Sequence, residues 1–206
     1  MKVLLINGSP HEKGCTYTAL SLIAGELKAQ GIDTEILHVG GQPVGGCIGC
    51  GGCRSGNGCV FGGVVNEAIE KAKTADAFVF GSPVHYASAA GNMASFMDRL
   101  AYAGGKYLAY KPAAVCCSAR RAGTTSTLDQ LVKYPQFFHM PLVNGSYWAM
   151  VHGSNPEQVL QDAEGCAVMQ ELGRNMAWLL HCIEAGKAAG IDHPQNPPRP
   201  MTSFIR

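Results

Sequence analysis

The fold is decided at the start of the chain by a short apolar run that stops in a turn, Lys2-Val3-Leu4-Leu5-Ile6-Asn7-Gly8-Ser9-Pro10. A second segment repeats this pattern, with Ala77-Phe78-Val79-Phe80 running into Gly81-Ser82-Pro83. A continuous apolar run of this length, bounded by turn residues, is typical of a strand buried on both faces. The two segments therefore predict two strands of a buried parallel sheet.

Helices alternate with strands outward from these two segments. Further strands are predicted at residues 33–39, 113–117 and 141–143, and helices at residues 18–27, 64–72, 93–102, 124–133 and from 155 to about 188, with a kink near Gly165. This alternation predicts an α/β fold, a doubly wound parallel sheet of five strands with helices on both faces. No linker divides the chain, so residues 1–206 are predicted to form a single domain with a C-terminal extension from about residue 190.

Composition narrows the classes of function. Only 15% of the 206 residues are charged, below the usual figure of about 25%, which favours a homo-oligomer whose subunits cover part of the surface. The net charge of +1 gives no reason to expect nucleic acid or a membrane surface as a partner. No signal peptide and no apolar run of about 20 residues is found, so the protein is expected to be cytoplasmic.

In doubly wound sheets, ligands bind beyond the carboxyl ends of the strands, which selects the loops 8–18, 82–90 and 118–124. The first loop leads into a helix and combines backbone N–H groups with Ser and Thr hydroxyls, as in an anion site. A nucleotide triphosphate loop is excluded by the order Lys13-Gly14-Cys15, and the dinucleotide fingerprint is absent. A small phosphatase would need Arg where Ser21 stands. An ordinary turn capped by Thr16 is the alternative.

A glycine-rich segment, residues 45–59, holds four of the nine cysteines in the spacing C-x2-C-x2-C-x5-C, at Cys47, Cys50, Cys53 and Cys59. Four thiolates this close can bind a [4Fe-4S] cluster, since glycine lets the backbone fold tightly around it. Zinc also accepts four cysteines, but structural zinc sites usually bring two pairs with a longer spacer. Free or redox-active thiols are the third interpretation.

The chain resembles the NADPH-dependent FMN reductase group of flavodoxin-like proteins and, more closely, the iron-sulfur flavoprotein family. The resemblance rests on Gly8-Ser9-Pro10, on Gly81-Ser82-Pro83-Val84-His85-Tyr86 and on the cysteine spacing, and it continues through residues 91–99, 147–153 and 173–178. It implies a flavodoxin-like sheet in the order 2-1-3-4-5, with FMN and a [4Fe-4S] cluster as cofactors. In this family the protein is oligomeric, so a dimer or tetramer is expected.

The resemblance also implies which residues hold the cofactors, with no side chain acting as a catalytic acid or base. The FMN phosphate would be bound by Ser9, His11, Cys15, Thr16 and Thr18. The isoalloxazine ring would be flanked by Pro83, Val84, His85 and Tyr86, and its other edge would be lined by Ser118, Ala119, Arg120 and Gly123. The cluster would be held by Cys47, Cys50, Cys53 and Cys59.

Two of these positions depart from the family pattern, which usually has Arg where His11 stands and Asn or Ser where Cys15 stands. Both departures remove fixed polarity or charge from the phosphate site. If His11 supplies the missing charge, FMN affinity should fall as the imidazole loses its proton with rising pH. An FMN dissociation constant that stays flat between about pH 5.5 and 8.5 would argue against a charged His11.

The function implied by the resemblance is that of an FMN-dependent oxidoreductase moving electrons between the cluster and FMN, and on to a ferredoxin-like partner or a small acceptor. Such clusters are oxygen-sensitive, so a preparation made in air is expected to lose the iron. NAD(P)H is a further candidate reductant. Two alternatives stay open: an NAD(P)H-dependent FMN, quinone or azo reductase with no cluster, and a non-enzymatic flavin-binding carrier or sensor with a zinc or thiol loop.

Overall fold

The computed structural model describes residues 1–202 and 204. Its first element is strand β1 (Lys2–Asn7), which has a neighbouring strand on each side in the sheet. The other strands are β2 (Asp33–His38), β3 (Ala77–His85), β4 (Ser88–Ala89), β5 (Ala113–Ala119) and β6 (Met150–His152). The helices are α1 (Cys15–Ala29), α2 (Val64–Thr74), α3 (Gly91–Gly104), α4 (Thr124–Phe137), α5 (Pro156–Val159) and α6 (Ala163–Ala188). Short 3-10 turns occur at Gly52–Ser55 and Gly105–Tyr107.

The parallel sheet has the order β2-β1-β3-β5-β6, and the short β4 pairs with β3 in an antiparallel hairpin. With this hairpin strand set aside, the order is the predicted 2-1-3-4-5, so the flavodoxin-like topology is confirmed. The strand order reverses between β1 and β3. A ligand crevice is expected at the carboxyl ends of these two strands.

Alternate residues of the strands point to two separate cores. Val3 and Leu5 belong to the core on the side of α1 and α6, whereas Leu4 and Ile6 belong to the core on the side of α2, α3 and α4. Successive side chains of a strand point to opposite faces of a sheet. Burial on both faces explains why β1 has no polar residue between Val3 and Ile6.

The predicted fifth strand is wrong. Residues 141–143 make only an isolated bridge to β5 through Leu142 and Ala113, and the strand beside β5 is β6, with Val151 opposite Ser118. Pro141 has no N–H with which to extend the pairing, and the chain then leaves the sheet until residue 150. Because β6 pairs with the last residues of β5, the chain that follows it emerges at the carboxyl edge.

The predicted long helix is two helices, and the expected kink near Gly165 is a break before α6. Asp162 caps α6, since its carboxylate accepts a hydrogen bond from the Gly165 N–H at 3.0 Å. The same carboxylate accepts from the His152 N–H at 2.7 Å, which ties the helix start to β6. The predicted capping role of Asn155 is confirmed, because its Oδ1 accepts from the Gln158 N–H at 2.9 Å.

The predicted C-terminal extension begins after α6, and its last residues lie partly outside the described part of the chain. Residues 191–200 have no helix or strand. The His193 ring stacks on Tyr110 at 4.4 Å between centroids, and Asn196 donates a hydrogen bond to the Tyr110 hydroxyl at 2.6 Å. Within the described residues, the helices all lack the length or the apolar character needed to cross a membrane.

Candidate functional site

The loop after β1 leads into α1 at the carboxyl edge of the sheet. The N-cap residue of α1 is Gly14, and no side chain caps the helix. Within the described part of the chain, the N–H groups of Thr16 and Tyr17 have no hydrogen-bond acceptor. Free N–H groups at the positive end of a helix suit an anion such as a phosphate.

Asn7, the last residue of β1, fixes the shape of this loop through two side-chain hydrogen bonds. Its Nδ2 donates to the Glu12 carbonyl at 2.9 Å, and its Oδ1 accepts from the Ser9 N–H at 3.1 Å. The Ser9 hydroxyl in turn accepts from the His11 N–H at 3.1 Å. These bonds hold the loop in place and leave the free N–H groups in the first turn of α1 available for a ligand.

The side chains predicted to bind the phosphate are placed in different environments. His11 is exposed to solvent, whereas Ser9 is buried. The Thr18 hydroxyl donates to the Gly14 carbonyl at 3.2 Å, inside the first turn of α1. Backbone N–H groups, rather than a ring of side chains, are therefore the main anion ligands that this loop offers, with His11 able to add a charge from the solvent side.

Thr16 and Ser118 bring the first and third predicted loops together. Their hydroxyls are hydrogen-bonded at 2.8 Å, and both residues are buried.

Cys15 joins the loop to the chain after β6, because its thiol donates to the Gly153 carbonyl at 3.5 Å. Burial raises the pKa of the Cys15 thiol, although a backbone hydrogen bond opposes the shift, so the thiol is uncharged at neutral pH.

The β3–β4 hairpin rises beside this loop. Pro83 and Val84 are half-buried, whereas His85 and Tyr86 are exposed. Tyr86 and Ala87 form the turn with φ of +48° and +59°. Left-handed conformations are uncommon for residues other than glycine, especially bulky ones, and are often found at functional sites. The hairpin thus presents apolar and aromatic groups, the kind of surface that a flat conjugated ring requires.

The third loop is held against this hairpin at Gly123. Its φ is +95°, and a Cβ atom placed there would lie 2.5 Å from Ala87 Cα and 2.7 Å from Val84 Cγ1. Ser126, in the first turn of α4, donates a hydrogen bond to the Ala87 carbonyl. Only glycine fits this close approach. In the same loop, Ala119 is buried and Arg120 is exposed.

The cysteine loop, residues 39–63, connects β2 to α2 and contains the 3-10 turn Gly52–Ser55. Cys47 and Cys50 are exposed, and Cys53 and Cys59 are half-buried. All four line one cavity of about 330 Å³, which lies between the loop and the Arg99 end of α3. The four predicted ligands are therefore brought to one place.

Within residues 1–202, no three His, Cys, Asp or Glu side chains are arranged to hold a metal ion. The four thiols thus share the wall of the cavity without converging on one point. The donor chemistry nevertheless fits an iron-sulfur cluster, because the cavity has four thiols and its lining contains no carboxylate or imidazole.

Arg99 and Asn66 fix the second half of the cysteine loop. Arg99 is only 6% exposed, and its Nε donates to Cys59 Sγ at 3.2 Å. Its two Nη atoms donate to the carbonyls of Gly62 at 3.0 Å and Gly45 at 3.4 Å. Asn66 pairs with the backbone of Cys59, accepting from its N–H at 2.8 Å and donating to its carbonyl at 3.0 Å.

Asn92, near the start of α3, fixes the first half of the loop. Its Nδ2 donates to the carbonyls of Gly40 at 3.2 Å and Gln42 at 3.0 Å, and its Oδ1 accepts from the Val44 N–H at 3.1 Å. Gly40 packs against the loop after β1 so closely that a Cβ atom would lie 2.2 Å from the Ser9 carbonyl oxygen. The cysteine loop therefore begins in contact with the predicted phosphate site.

Arg99, Asn66 and Asn92 were not among the predicted site residues. Arg99 had a signal in the sequence, since it falls on the apolar face of a predicted helix, three residues after Phe96, which is buried. A charged residue in such a position is rarely buried without a purpose. The two asparagines carry no comparable signal, because their partners are backbone groups of a loop without periodicity.

Cys116 and Cys117, in β5, are structural residues. Burial raises the pKa of both thiols, that of Cys117 to about 12. A thiol that stays protonated is neither a good nucleophile nor a ready metal ligand, so these two behave as small apolar side chains.

The sheet order, the anion loop after β1 and the apolar hairpin at the switch point define a flavodoxin-like fold with a ligand site at its carboxyl edge. The sequence profile of the NADPH-dependent FMN reductase family matches residues 1–155. The chain belongs to this family and is a flavin-dependent oxidoreductase. This confirms the enzyme class and the flavin predicted from the sequence, and the non-enzymatic alternative loses its support.

The most similar proteins include two archaeal relatives and one solved structure. An iron-sulfur flavoprotein of Methanocaldococcus jannaschii is 27% identical over 89% of this chain and 100% of its own. An iron-sulfur flavoprotein of Archaeoglobus fulgidus is 35% identical over 48% of each chain. The structure of an archaeal flavodoxin superposes with a TM-score of 0.60 at 14% identity, covering 88% of this chain and 99% of its own. The predicted resemblance is thereby confirmed.

Proposed function

We propose that this oxidoreductase transfers electrons between FMN and a [4Fe-4S] cluster held by Cys47, Cys50, Cys53 and Cys59. The observation that carries the proposal is that all four cysteines line one cavity, in a loop that starts against the predicted phosphate site. The cysteine spacing and the names of the two relatives support iron over zinc.

Each group of residues has a separate task in this proposal. FMN, when bound, supplies the exchange between one-electron and two-electron transfer, and the cluster supplies one-electron transfer. The N–H groups at the start of α1 bind the phosphate, assisted by His11. The hairpin residues Pro83 to Tyr86 cover the ring, and Arg120 adds a permanent positive charge at the opposite loop. No side chain has to donate or accept a proton in a chemical step.

The proposal includes a homo-oligomer, a dimer or tetramer, and a ferredoxin-like electron donor or acceptor. Four large apolar residues that line the cysteine cavity each have more than half of their surface exposed to solvent, namely Ile48, Val60, Phe61 and Tyr102. A contiguous apolar rim supports a contact with another protein surface. Sedimentation velocity of the purified protein tests the oligomer, and a single monomeric species at micromolar concentration would contradict it.

Anaerobic purification followed by iron, sulfide, zinc and flavin analysis tests the cofactors. About four iron and four sulfide per chain are expected, together with about one FMN. Stoichiometric zinc with less than about one iron per chain would overturn the cluster but leave the flavin enzyme intact. Absence of flavin would overturn the whole proposal.

A second candidate is an NAD(P)H-dependent FMN, quinone or azo reductase that needs no cluster. It is favoured by the observation that the thiols in the described residues do not converge on one point. A protein with both exposed cysteines replaced, Cys47→Ser with Cys50→Ser, separates the candidates. Rapid NAD(P)H oxidation by this variant at the wild-type rate would favour the second candidate, and loss of electron transfer with retained FMN would favour the first.

A further inference from the structure

Arg99 is a buried cation without a carboxylate partner. It is 6% exposed, and none of the ion pairs within residues 1–202 includes it. The neighbouring carboxylate, Asp98, accepts a hydrogen bond from the Tyr134 hydroxyl at 2.6 Å instead. Buried charges in proteins are normally paired or hydrogen-bonded, because removing them from water is costly.

The acceptors of Arg99 all belong to the cysteine loop. They are the carbonyls of Gly45 and Gly62, on either side of the four cysteines, and the sulfur of Cys59. The Phe61 ring covers the guanidinium, with its centroid 5.6 Å from Cζ. The cation is thus held at the wall of the cavity with one N–H directed at a sulfur atom, where negative charge would be placed by ligation.

Among the four cysteines of the loop, Cys59 makes the most hydrogen bonds to side chains outside the loop. Asn66 holds its N–H and its carbonyl, while Arg99 holds its sulfur. Cys47 and Cys50 are exposed, and neither takes part in a side-chain hydrogen bond within the described residues. One ligand is therefore set in place before the others, on the side of the cavity formed by α3.

We propose that Arg99 is a positioning residue for the iron-sulfur site that presets Cys59 as a ligand and raises the reduction potential of the cluster through its hydrogen bond to the Cys59 sulfur. The inference rests on the proposed cluster. Hydrogen bonds and positive charge at a ligand sulfur stabilise the more negative, reduced state, which raises the potential. A purely structural clamp would hold the loop through the two carbonyls and leave the potential unchanged.

The test compares Arg99→Gln and Arg99→Lys with Arg54→Gln in anaerobically purified protein. Arg54 lines the same cavity but is exposed, so its replacement removes one charge without removing a bond to a cysteine. Spectroscopic redox titration of the cluster is the main readout, with iron per chain and thermal unfolding as controls. Arg99→Gln is expected to shift the equilibrium toward the oxidised cluster about tenfold, which is about 59 mV lower for a one-electron couple.

Arg99→Lys keeps the positive charge but loses the geometry of the guanidinium hydrogen bonds, so we expect an intermediate shift of the cluster's reduction potential. Arg54→Gln should give the smallest shift of that potential. Iron-loaded Arg99 variants with the wild-type potential, or with the same shift as Arg54→Gln, would overturn the inference alone. A wild-type protein without iron would overturn the proposed function and this inference together.

A second measurement has its decisive result in the wild-type protein, whose folding no substitution affects. In wild-type protein labelled with ¹⁵N-arginine, electron-nuclear double resonance of the reduced cluster is expected to show coupling to a guanidinium nitrogen. The coupling should persist in Arg54→Gln and disappear in Arg99→Lys. Its absence from iron-loaded wild-type protein would also overturn the inference.

Discussion

At the residue scale, two of the four non-glycine residues with positive φ in the described part of the chain lie where the flavin ring is expected, and the other two, Tyr110 and His139, stack on each other elsewhere. Tyr86 and Ala87 have positive φ, and Gly123, which touches Ala87, has φ of +95°. Conformations of this kind cost energy and persist only where the surroundings impose them. Their grouping between the hairpin and the third loop agrees with a preformed ring site.

Gly123→Ala tests this contact. The new methyl group would meet Ala87 and Val84 in a left-handed conformation, so we expect a loss of about 2 to 4 kcal/mol in the free energy of unfolding and weaker FMN binding. Urea denaturation and flavin fluorescence titration measure the two effects. Gly190→Ala is the matched control, since φ there is +81° with no atom within 4 Å, and it should cost only about 1 kcal/mol. Equal losses in both variants would show that crowding at Gly123 is unimportant.

At the scale of elements, an ion-pair cluster joins β1, β2 and α2 on the outside of the sheet. Glu35 of β2 lies 2.6 Å from the ammonium groups of both Lys2 in β1 and Lys71 in α2. Hydrogen bonds from Lys2 and then Lys71 lower the pKa of Glu35 below its ordinary value near 4.5. The three elements that precede and follow the cysteine loop are thus linked by charge as well as by packing.

Glu35→Gln should reduce stability at neutral pH but not in acid. A carboxyl group with a lowered pKa in the folded state stabilises the fold above about pH 4.5, and this contribution is lost as the pH falls through the folded-state value. Because the pair is partly exposed, a decrease of roughly 1 to 3 °C in Tm is expected at pH 7. Thermal unfolding at pH 7 and pH 3 measures it. Glu70→Gln, which breaks an exposed pair within α2, should change Tm less.

At the scale of the whole molecule, the two candidate cofactor sites share a sheet edge but not their ligands. The predicted FMN residues lie at the carboxyl ends of β3 and β5 and in the segments that follow β1, β3 and β5, whereas the cysteines lie in the loop after β2. Helix α3 holds the cysteine loop through Asn92 and Arg99, and neither residue is a predicted FMN ligand. Each site should therefore tolerate loss of the other.

Cys59→Ser tests this independence. The variant should lose most of its iron, because a serine hydroxyl is a poor substitute for a thiolate ligand, while its FMN dissociation constant should stay within about twofold of the wild-type value. Iron analysis and flavin titration of the same anaerobic sample are the measurements. A tenfold or larger loss of FMN affinity would show that the two sites are structurally coupled.

The sequence predicts the features that depend on regular burial. Apolar runs such as Ala77 to Phe80, bounded by turn residues and alternating with helical segments, predict buried strands, so the parallel sheet and the three loops at its edge could be anticipated. The strand order was implied by the family resemblance. The fifth strand could not be anticipated, because Met150–His152 is too short for a periodic pattern and is selected by pairing with β5. The break before α6 was misplaced for a similar reason, since Asp162 is recruited as a cap by tertiary contacts with His152.

The candidate site was predicted less completely than the fold. The cysteine spacing identified the four thiols that line the cavity, but not the side chains that hold the loop in place. Arg99 is 40 residues from its partner Cys59, and Asn66, although only 7 residues away, pairs with backbone groups of Cys59 that carry no side-chain signal. Hydrogen bonds of this kind leave no periodic trace in a sequence.

The attachment of the cysteine loop to α3 bears on how such a protein could gain or lose a metal during evolution. The sheet does not need the loop, since a short turn could connect β2 to α2. In a lineage with a shortened loop, however, Arg99 would be buried on an apolar helix face without hydrogen-bond acceptors. This would reduce the free energy of unfolding by several kcal/mol. The arginine and the loop should therefore be inherited as one unit. Relatives with a short connection should carry an apolar residue at the position of Arg99.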